Sequence, residues 1–126
     1  MEDSGEWANE VRLVGRVSAA AEERELPSGD LMVALRVVVP RSGGGTSSTR
    51  VDTVDVACWS ARTRRSARNL EPGARIEVRG ALRRRFYRAG AATLSRYEVE
   101  ATSVSRLRRH AALAASRNLV PTADQT

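Results

Sequence analysis

Arginine and aromatic side chains follow one another in the stretch Arg83-Arg-Arg-Phe-Tyr-Arg88. Guanidinium groups form forked hydrogen bonds to phosphates, and flat rings accept stacked bases, so this combination suits a nucleic acid strand. Alternate side chains of a β-strand point to opposite faces, which places Arg83, Arg85 and Tyr87 on one face and Phe86 on the other. A solvated, charged hairpin is the alternative interpretation, because runs of charge are commonly exposed.

Further candidates for strand binding lie on neighbouring predicted strands. Trp59 ends a strand on the face opposite that strand's apolar residues, where it either covers a short helix or stacks a base. Tyr97 fits the rim of the core and the binding face equally well. Arg79 is an even number of residues from Arg83 and is therefore expected on the same face of the sheet. The candidate nucleic-acid-binding residues are Arg16, Arg36, Trp59, Arg79, Arg83, Arg85, Phe86, Tyr87, Arg88 and Tyr97.

The sequence offers no constellation suited to catalysis or metal binding. Asp52 and Asp55 are three residues apart on a strand and point to opposite faces, with no histidine or third carboxylate nearby. Cys58, the single cysteine, shares the parity of the core residues and is interpreted as an inert buried thiol. One cysteine and one histidine, His110, supply no usual set of zinc ligands. We therefore expect neither enzymatic activity nor a metal or cofactor.

The charge distribution indicates a polyanionic partner. All 21 basic residues of the 126-residue chain are arginines, against 15 acidic residues, and the formal charge is +6. Residues 1–30 hold eight acids and three arginines, a balance of −5, whereas residues 31–126 hold eighteen arginines and seven acids, a balance of +11. No apolar run approaches the roughly 20 residues of a membrane span, and the acidic first ten residues do not resemble a secretory signal. We expect a cytoplasmic, nucleoid-associated protein with no membrane partner.

Alternation of apolar and polar residues predicts five strands. Ser60 is placed to cap a short helix that runs to about Leu70 and stops before Pro72-Gly73. The arginines of this helix form either a second phosphate track or a solvated face, and we favour the solvated face. The predicted strands cover residues 11–17, 31–39, 51–59, 75–82 and, after a hairpin tip at 89–91, residues 93–107.

This order of elements predicts an all-β fold, a five-stranded Greek-key barrel of the OB type with one short helix between strands 3 and 4. Three parts of the chain follow from it: a flexible acidic arm over residues 1–9, the OB-fold domain over residues 10–108, and a short disordered tail over residues 109–126. The glycine- and serine-rich residues 42–49 have the composition of a flexible linker.

Four segments resemble those of the bacterial single-stranded-DNA-binding proteins. The most similar is Leu70-Glu-Pro-Gly-Ala-Arg-Ile-Glu-Val-Arg-Gly-Ala-Leu82, which resembles the end of the family's helix, its turn and its fourth strand. A weaker likeness continues through residues 97–104. Three segments precede it in the family's order: Asn9-Glu-Val-Arg-Leu-Val-Gly-Arg16, Leu26-Pro-Ser-Gly29 with Val33-Ala-Leu35, and Val54-Asp-Val-Ala-Cys-Trp59.

This resemblance implies an OB fold, cooperative binding of single-stranded DNA and self-association, usually as a homotetramer, with a homodimer as the alternative. The family stacks bases on a few aromatic positions, and Trp59 and Tyr87 match two of them. Thr53 falls at a third position and cannot stack. A fourth position falls in residues 40–42, which contain no aromatic residue. Half of the family's stacking platform is therefore missing from this sequence.

The family also commonly ends in an acidic, apolar tail that recruits repair and replication enzymes. The last seven residues here, Val120-Pro-Thr-Ala-Asp-Gln-Thr126, contain one acid and no terminal aromatic. We therefore expect no recruitment of repair enzymes through an acidic tail. The likeness is to a tailless paralogue, or to a phage or plasmid relative.

The sequence thus predicts non-catalytic, sequence-independent binding of single-stranded DNA by base stacking and arginine–phosphate contacts, in replication, repair or recombination. One alternative is an oligomeric OB-fold adaptor, primosome-like and weak in DNA binding, which the missing aromatics favour. Another is binding of single-stranded RNA on the same face, because base stacking does not distinguish the sugar. Substituting Trp59 and Tyr87 separates DNA binding from the adaptor hypothesis, since an adaptor should be indifferent to their loss.

Overall fold

The computed structural model describes residues 6–41 and 50–108. These residues contain six strands and one helix. The elements are β1 (Val11–Val17), β2 (Glu22–Glu25), β3 (Leu31–Pro40), β4 (Val51–Cys58), α1 (Ala61–Arg68), β5 (Arg75–Ala89) and β6 (Ala92–Arg106). Most of the predicted arm, the predicted linker, the C-terminal tail and His110 lie outside the described residues.

The strands form one sheet in the order β1-β5-β6-β4-β3-β2, and a further pairing of β1 with β3 joins it into a ring. The pairings are antiparallel except that of β4 with β6, which is parallel at Val56 and Ala57. The helix connects β4 to β5, which are the third and fourth of the predicted strands. The element order therefore agrees with the predicted OB fold.

One strand of the sheet is absent from the sequence prediction. Glu22–Glu25 forms β2, which pairs antiparallel with β3, and all four of its residues are exposed. The sequence predicts either an extension of the first strand or a loop in this region. A strand with polar residues on both faces shows no alternation of hydropathy, so the periodicity that reveals the other strands is missing here.

Apolar side chains from all of the long strands fill the interior of the ring. The helix covers this core with the buried Ala67 and Thr63. Ser60 caps the helix as predicted, because its hydroxyl accepts a hydrogen bond from the Thr63 N–H at 3.1 Å. The largest fully buried apolar side chains of the core are Val17, Val33, Val37, Val56, Cys58, Ile76, Val78 and Val99.

The β5–β6 hairpin extends beyond the ring as a two-stranded ribbon. β1 pairs with β5 no further than Gly80, and β4 pairs with β6 only at Val99 and Glu100. From there outward, β5 and β6 pair only with each other, as far as Ala89 and Ala92. The candidate residues of the arginine-rich stretch therefore all lie on a projecting ribbon rather than on the wall of the ring.

The base of this ribbon is fixed by a glycine and an asparagine. A Cβ atom on Gly80 would lie 2.0 Å from the carbonyl oxygen of Glu100, so no other residue fits at that position without a shift of the backbone. Between the pairs Arg79–Ser103 and Gly80–Ala101, Thr102 is left out of the pairing as a bulge. The Asn9 Nδ2 donates a hydrogen bond to the Leu82 carbonyl oxygen, and the Leu82 N–H donates one to Asn9 Oδ1, both at 2.8 Å.

Candidate nucleic-acid interface

The ribbon has two faces, and the register of β5 against β6 assigns each side chain to one of them. The groove face consists of Arg83, Arg85, Tyr87, Leu94, Arg96 and Glu98. The back face consists of Leu82, Arg84, Phe86, Arg88, Thr93, Ser95 and Tyr97. The predicted site residues are therefore divided, with Phe86, Arg88 and Tyr97 on the side away from Arg83, Arg85 and Tyr87.

The groove face continues onto the outer surface of β3 and β4. Arg36 of β3 lies opposite Asp55 of β4, and the Arg36 Nε donates a hydrogen bond to Asp55 Oδ1 at 3.1 Å. These two residues line a cleft of about 180 Å³ together with Ala57, Arg96 and Glu98. The cleft connects the predicted arginine of the third strand with the projecting hairpin.

Trp59 lies at the end of β4 beneath a guanidinium group of the groove face. The Cζ atom of Arg85 is 4.6 Å from the centroid of the indole ring, which is a cation–π contact. Arg64 of the helix donates a hydrogen bond to the Trp59 carbonyl. The indole Nε1 is buried and has no hydrogen-bond partner among the described residues. A base that approaches this side of the ring therefore meets Arg85 first.

Carboxylates hold the arginines of the groove face in place. Arg85 and Arg96 lie directly opposite each other across the ribbon, and two like charges in that position repel. Glu98 offsets this repulsion, because it accepts a hydrogen bond from Arg85 and lies 3.9 Å from Arg96. Its side chain is only 3% exposed. Arg83 is likewise paired with Glu100 at 2.8 Å.

Two of the predicted arginines lie outside the cleft, on the outer surface of β1 and β5. Arg79 shares Glu77 with Arg12, and the hydrogen bond from Arg12 lowers the pKa of that carboxyl group. Arg16 is opposite Arg75, and neither has a carboxylate within 4 Å among the described residues. Arg16 and Arg79 can therefore contact only a nucleic acid strand that extends beyond the cleft and around the outside of the ring.

The back face carries the most exposed aromatic side chains of the ribbon. Phe86 is 65% exposed and Tyr97 is 59% exposed. Arg84 lies between them, with its Cζ atom 5.1 Å from the Phe86 ring centroid and 5.6 Å from that of Tyr97. The Ser95 hydroxyl accepts a hydrogen bond from Arg84 at 3.2 Å. The prediction that Phe86 points away from Tyr87 is confirmed, and Tyr97 lies with Phe86.

The other positions that the sequence relates to base stacking differ in exposure. Tyr87 is 45% exposed near the tip of the groove face, opposite Leu94. Thr53 is exposed on β4 and offers no ring. Trp7, which the sequence suggests as an anchor for packing or an interface, is 94% exposed. The outer surface of β4 therefore carries one aromatic residue, Trp59.

The arginines of the helix are partly occupied by contacts within the protein. Arg68 forms an ion pair with Glu23 at 2.7 Å, and Arg64 is bonded to the Trp59 carbonyl. Arg62 and Arg65 are exposed. Two of the four arginines are therefore held by contacts within the protein, and the solvated helix face stays a prediction.

The single cysteine is buried, as its parity predicted. Burial raises the pKa of the Cys58 thiol to about 11, and a hydrogen bond with Thr63 acts in the opposite direction. Within residues 6–41 and 50–108, no three or more His, Cys, Asp or Glu side chains come together as a metal site. The helix of this part of the chain is too short and too polar to span a membrane.

The residues that make the two faces differ are not among those that the sequence predicts. Arg84 and Arg96 are absent from the predicted site, and so are Asp55, Glu98 and Glu100, whose carboxylates pair with arginines. Counting outward from a tip at 89–91 pairs Arg88 with Ala92 and hence Arg84 with Arg96, one residue away from the observed partner, Tyr97. No signal in the hydropathy pattern marks the buried Glu98, because it alternates like any outward-facing residue.

Comparison with known proteins agrees with this geometry. The model of the single-strand binding protein family matches residues 8–107. Among solved structures, the chain is similar to a Plasmodium falciparum SSB complex with ssDNA, with a TM-score of 0.69 and 16% sequence identity. That match covers 86% of this chain and 100% of the other, and it confirms the predicted fold class. No curated protein sequence matches the chain.

Proposed function

The chain belongs to the single-strand binding protein family, and from this premise we propose that it binds single-stranded DNA independently of sequence and without catalysis. The strand is held by base stacking and by arginine–phosphate contacts. The protein acts in the cytoplasm on exposed strands during replication, repair or recombination. It does so as a self-associated particle, a homotetramer or a homodimer, as the family resemblance implies.

The observation that supports this proposal best is the continuous outer surface from Arg36 to the groove face. It brings a stacked Trp59–Arg85 pair beside guanidinium groups on two other strands. Non-specific binding of a single strand requires a cationic track for the phosphates and flat groups for the bases. This surface supplies both, although the aromatic ring is covered by Arg85 and its guanidinium plane takes part in the stack.

Ion pairs within the groove determine how phosphates bind there. Arg36, Arg83 and Arg85 each contact a carboxylate in the free protein. A phosphate that approaches one of these guanidinium groups competes with that carboxylate, so each contact adds less affinity than an unpaired arginine would. We therefore expect the arginines of the groove to contribute more to the orientation of the bound DNA than to its affinity.

A titration of tryptophan fluorescence tests the proposal directly. Trp7 is 94% exposed, and a Trp7→Phe variant keeps an aromatic ring there while leaving Trp59 as the only indole. We expect oligo-dT to quench Trp59 and to bind more tightly than a duplex of equal length, with some affinity that resists salt. Equal binding of both, collapsing by about 0.15 M salt, would indicate a generic basic surface instead.

The adaptor hypothesis has one specific observation in its favour, the absence of rings at Thr53 and at the end of β3. The variant Trp59→Ala/Tyr87→Ala separates the two functions. A DNA-binding protein loses affinity for oligo-dT in this variant, whereas an adaptor with incidental DNA contact is unaffected. Competition of bound oligo-dT by oligo-rU of the same length measures the preference for DNA over RNA.

A further inference from the structure

The back face of the ribbon carries positive charge that no carboxylate within residues 6–41 and 50–108 neutralises. None of its seven residues is acidic. Arg84 and Arg88 have no carboxylate within 4 Å among the described residues, in contrast to Arg83, Arg85 and Arg96 on the groove face. An exposed surface with uncompensated guanidinium groups is suited to a polyanion.

The same face presents rings in a fixed arrangement. Arg84 is stacked between Phe86 and Tyr97 and is bonded to Ser95, so the three planar groups form a ladder across the two strands. More than half of each of these two aromatic residues remains accessible. Arg84 lies over one face of each ring, so a base can stack on the other, exposed face of either ring.

We propose that this back face is a second base-stacking site for the same single strand of DNA that occupies the groove face. Bases stack on Phe86 and Tyr97, while Arg84 and Arg88 contact the phosphates between them. This inference rests on the proposed function. The second site uses Phe86 and Tyr97, which do not correspond to any of the family's aromatic positions described above.

Charge complementarity selects DNA as the occupant over a second copy of the chain. Two back faces brought together would place Arg84 and Arg88 of one copy near those of the other, and like charges across an interface cost several kcal/mol in general. A phosphate backbone meets the same arginines favourably. The exposed rings therefore have a partner whose charge fits the surface around them.

The position of the ribbon allows one strand to reach both faces. Beyond Gly80, β5 pairs only with β6, so its outer edge carries no neighbouring strand among the described residues. A flexible strand that leaves the groove face at Tyr87 can pass around this edge or the tip and reach Phe86, the adjacent residue on the opposite face.

The test uses an oligo-dT of about 25 nucleotides, longer than the roughly 4–16 that one OB fold occupies. In the Trp7→Phe background, Phe86→Ala/Tyr97→Ala should weaken binding at least about tenfold. The amplitude of Trp59 quenching at saturation should stay the same, because the groove is still filled. Oligonucleotides with a photoreactive halogenated uracil should form adducts on Phe86 or Tyr97 in the parent protein, located by mass spectrometry.

Two further variants guard against trivial explanations. Phe86→Leu/Tyr97→Leu keeps an apolar surface without rings and should lose affinity nearly as much as the alanine variant. Leu31→Ala/Val51→Ala removes two apolar side chains of 48% and 40% exposure elsewhere on the protein and should have no effect. Circular dichroism establishes that each variant is folded.

The possible outcomes separate this inference from the proposed function. If the parent binds oligo-dT tightly but Phe86→Ala/Tyr97→Ala binds equally well and adducts occur only on Trp59 or Tyr87, the second site does not exist. A change in particle mass with unchanged DNA affinity identifies a self-association surface and also overturns the site. If the parent binds no oligo-dT at all, the proposed function fails, and the second site with it.

Discussion

Both faces of the β5–β6 ribbon take arginines from the same stretch, Arg83–Arg88, yet they differ in how those charges are used. On the groove face, Arg83 and Arg85 are paired with Glu100 and Glu98, and Arg85 covers the ring of Trp59. On the back face, Arg84 stacks between two exposed rings without a carboxylate. Neighbouring arginines in the sequence therefore have different chemical surroundings in the fold.

This difference shows that a count of arginines is a poor measure of phosphate affinity. A guanidinium group that is already paired with a carboxylate exchanges one anion for another when DNA binds, and the gain is small. An unpaired guanidinium releases counterions from the phosphates and gains more. We therefore expect the groove face to determine where bases stack and the back face to contribute more of the salt-dependent attraction.

The largest effect is expected for Gly80→Ala, which disturbs the base of the ribbon that carries both faces. The added Cβ would lie 2.0 Å from the Glu100 carbonyl oxygen, so the two strands must separate at the base of the ribbon. We expect the free energy of unfolding to fall by about 3 kcal/mol, as for an overpacked interior site. Urea denaturation followed by circular dichroism measures it.

Gly29→Ala is the matched control for this substitution. Gly29 has a φ of +92°, and a Cβ added there would have no neighbouring atom within 4 Å, so only backbone strain opposes alanine. That strain costs about 1 kcal/mol. If Gly80→Ala is no more destabilising than Gly29→Ala, the base of the ribbon is not tightly constrained. The two faces would then not be held in fixed positions relative to the ring.

Removal of the indole ring tests the groove face alone. Trp59→Ala removes the ring beneath Arg85, and we expect affinity for oligo-dT to fall about tenfold, the loss of one stacked group. Fluorescence anisotropy of a labelled oligonucleotide gives the affinity without relying on tryptophan. Trp7→Phe serves as the control and should bind like the unmodified protein.

Combining Trp59→Ala with Phe86→Ala/Tyr97→Ala sharpens the comparison. Trp59 lies beneath the groove face at the end of β4, whereas Phe86 and Tyr97 lie on the back face, so the effects of the substitutions on affinity should multiply. A combined loss much smaller than the product would mean that both sets of residues act on one site. The distinction between two faces would then be wrong.

The dependence of affinity on salt concentration should distinguish arginines that bind phosphates directly from arginines that must first leave a carboxylate. Arg84→Gln/Arg88→Gln removes two unpaired guanidinium groups, and the slope of log K against log salt should become shallower by about 1.4, or about 0.7 for each contact. Arg83→Gln/Arg85→Gln should change the slope by less than half of that. Equal changes in slope for the two variants would contradict the proposed difference between the faces.

The sequence was sufficient to predict the elements that follow from alternation and capping. The core parity of Cys58, the cap at Ser60 and the hairpin tip near Gly90 each depend on residues close together in the chain, and each is observed. Strand β2 was missed because Glu22–Glu25 is polar on both faces. Local patterns therefore recover most of the fold.

The ion pairs of the site could not be predicted, because they depend on register. Thr102 stands outside the pairing, so partners below it are displaced by one residue relative to those near the tip. Arg85 and Glu98 lie between the bulge and the tip, so the turn between Ala89 and Ala92 sets their register, one residue away from the register of a tip at 89–91. The polar pattern of the ribbon does not fix the register to within one residue, so the sequence carries no record of this ion pair.

The smallest predicted effect concerns one carboxylate of the groove face. Glu100→Gln releases Arg83 from its ion pair, which should raise affinity for oligo-dT about threefold and steepen the salt slope by about 0.7. Glu71→Gln is the matched control, because it releases Arg106 from a pair of 2.6 Å outside the ribbon and changes the net charge equally. A gain confined to Glu100→Gln would mean that local competition for Arg83 limits binding. An equal gain in both variants would mean that overall charge controls affinity, and the ion pairs of the groove face would then have no special part in it.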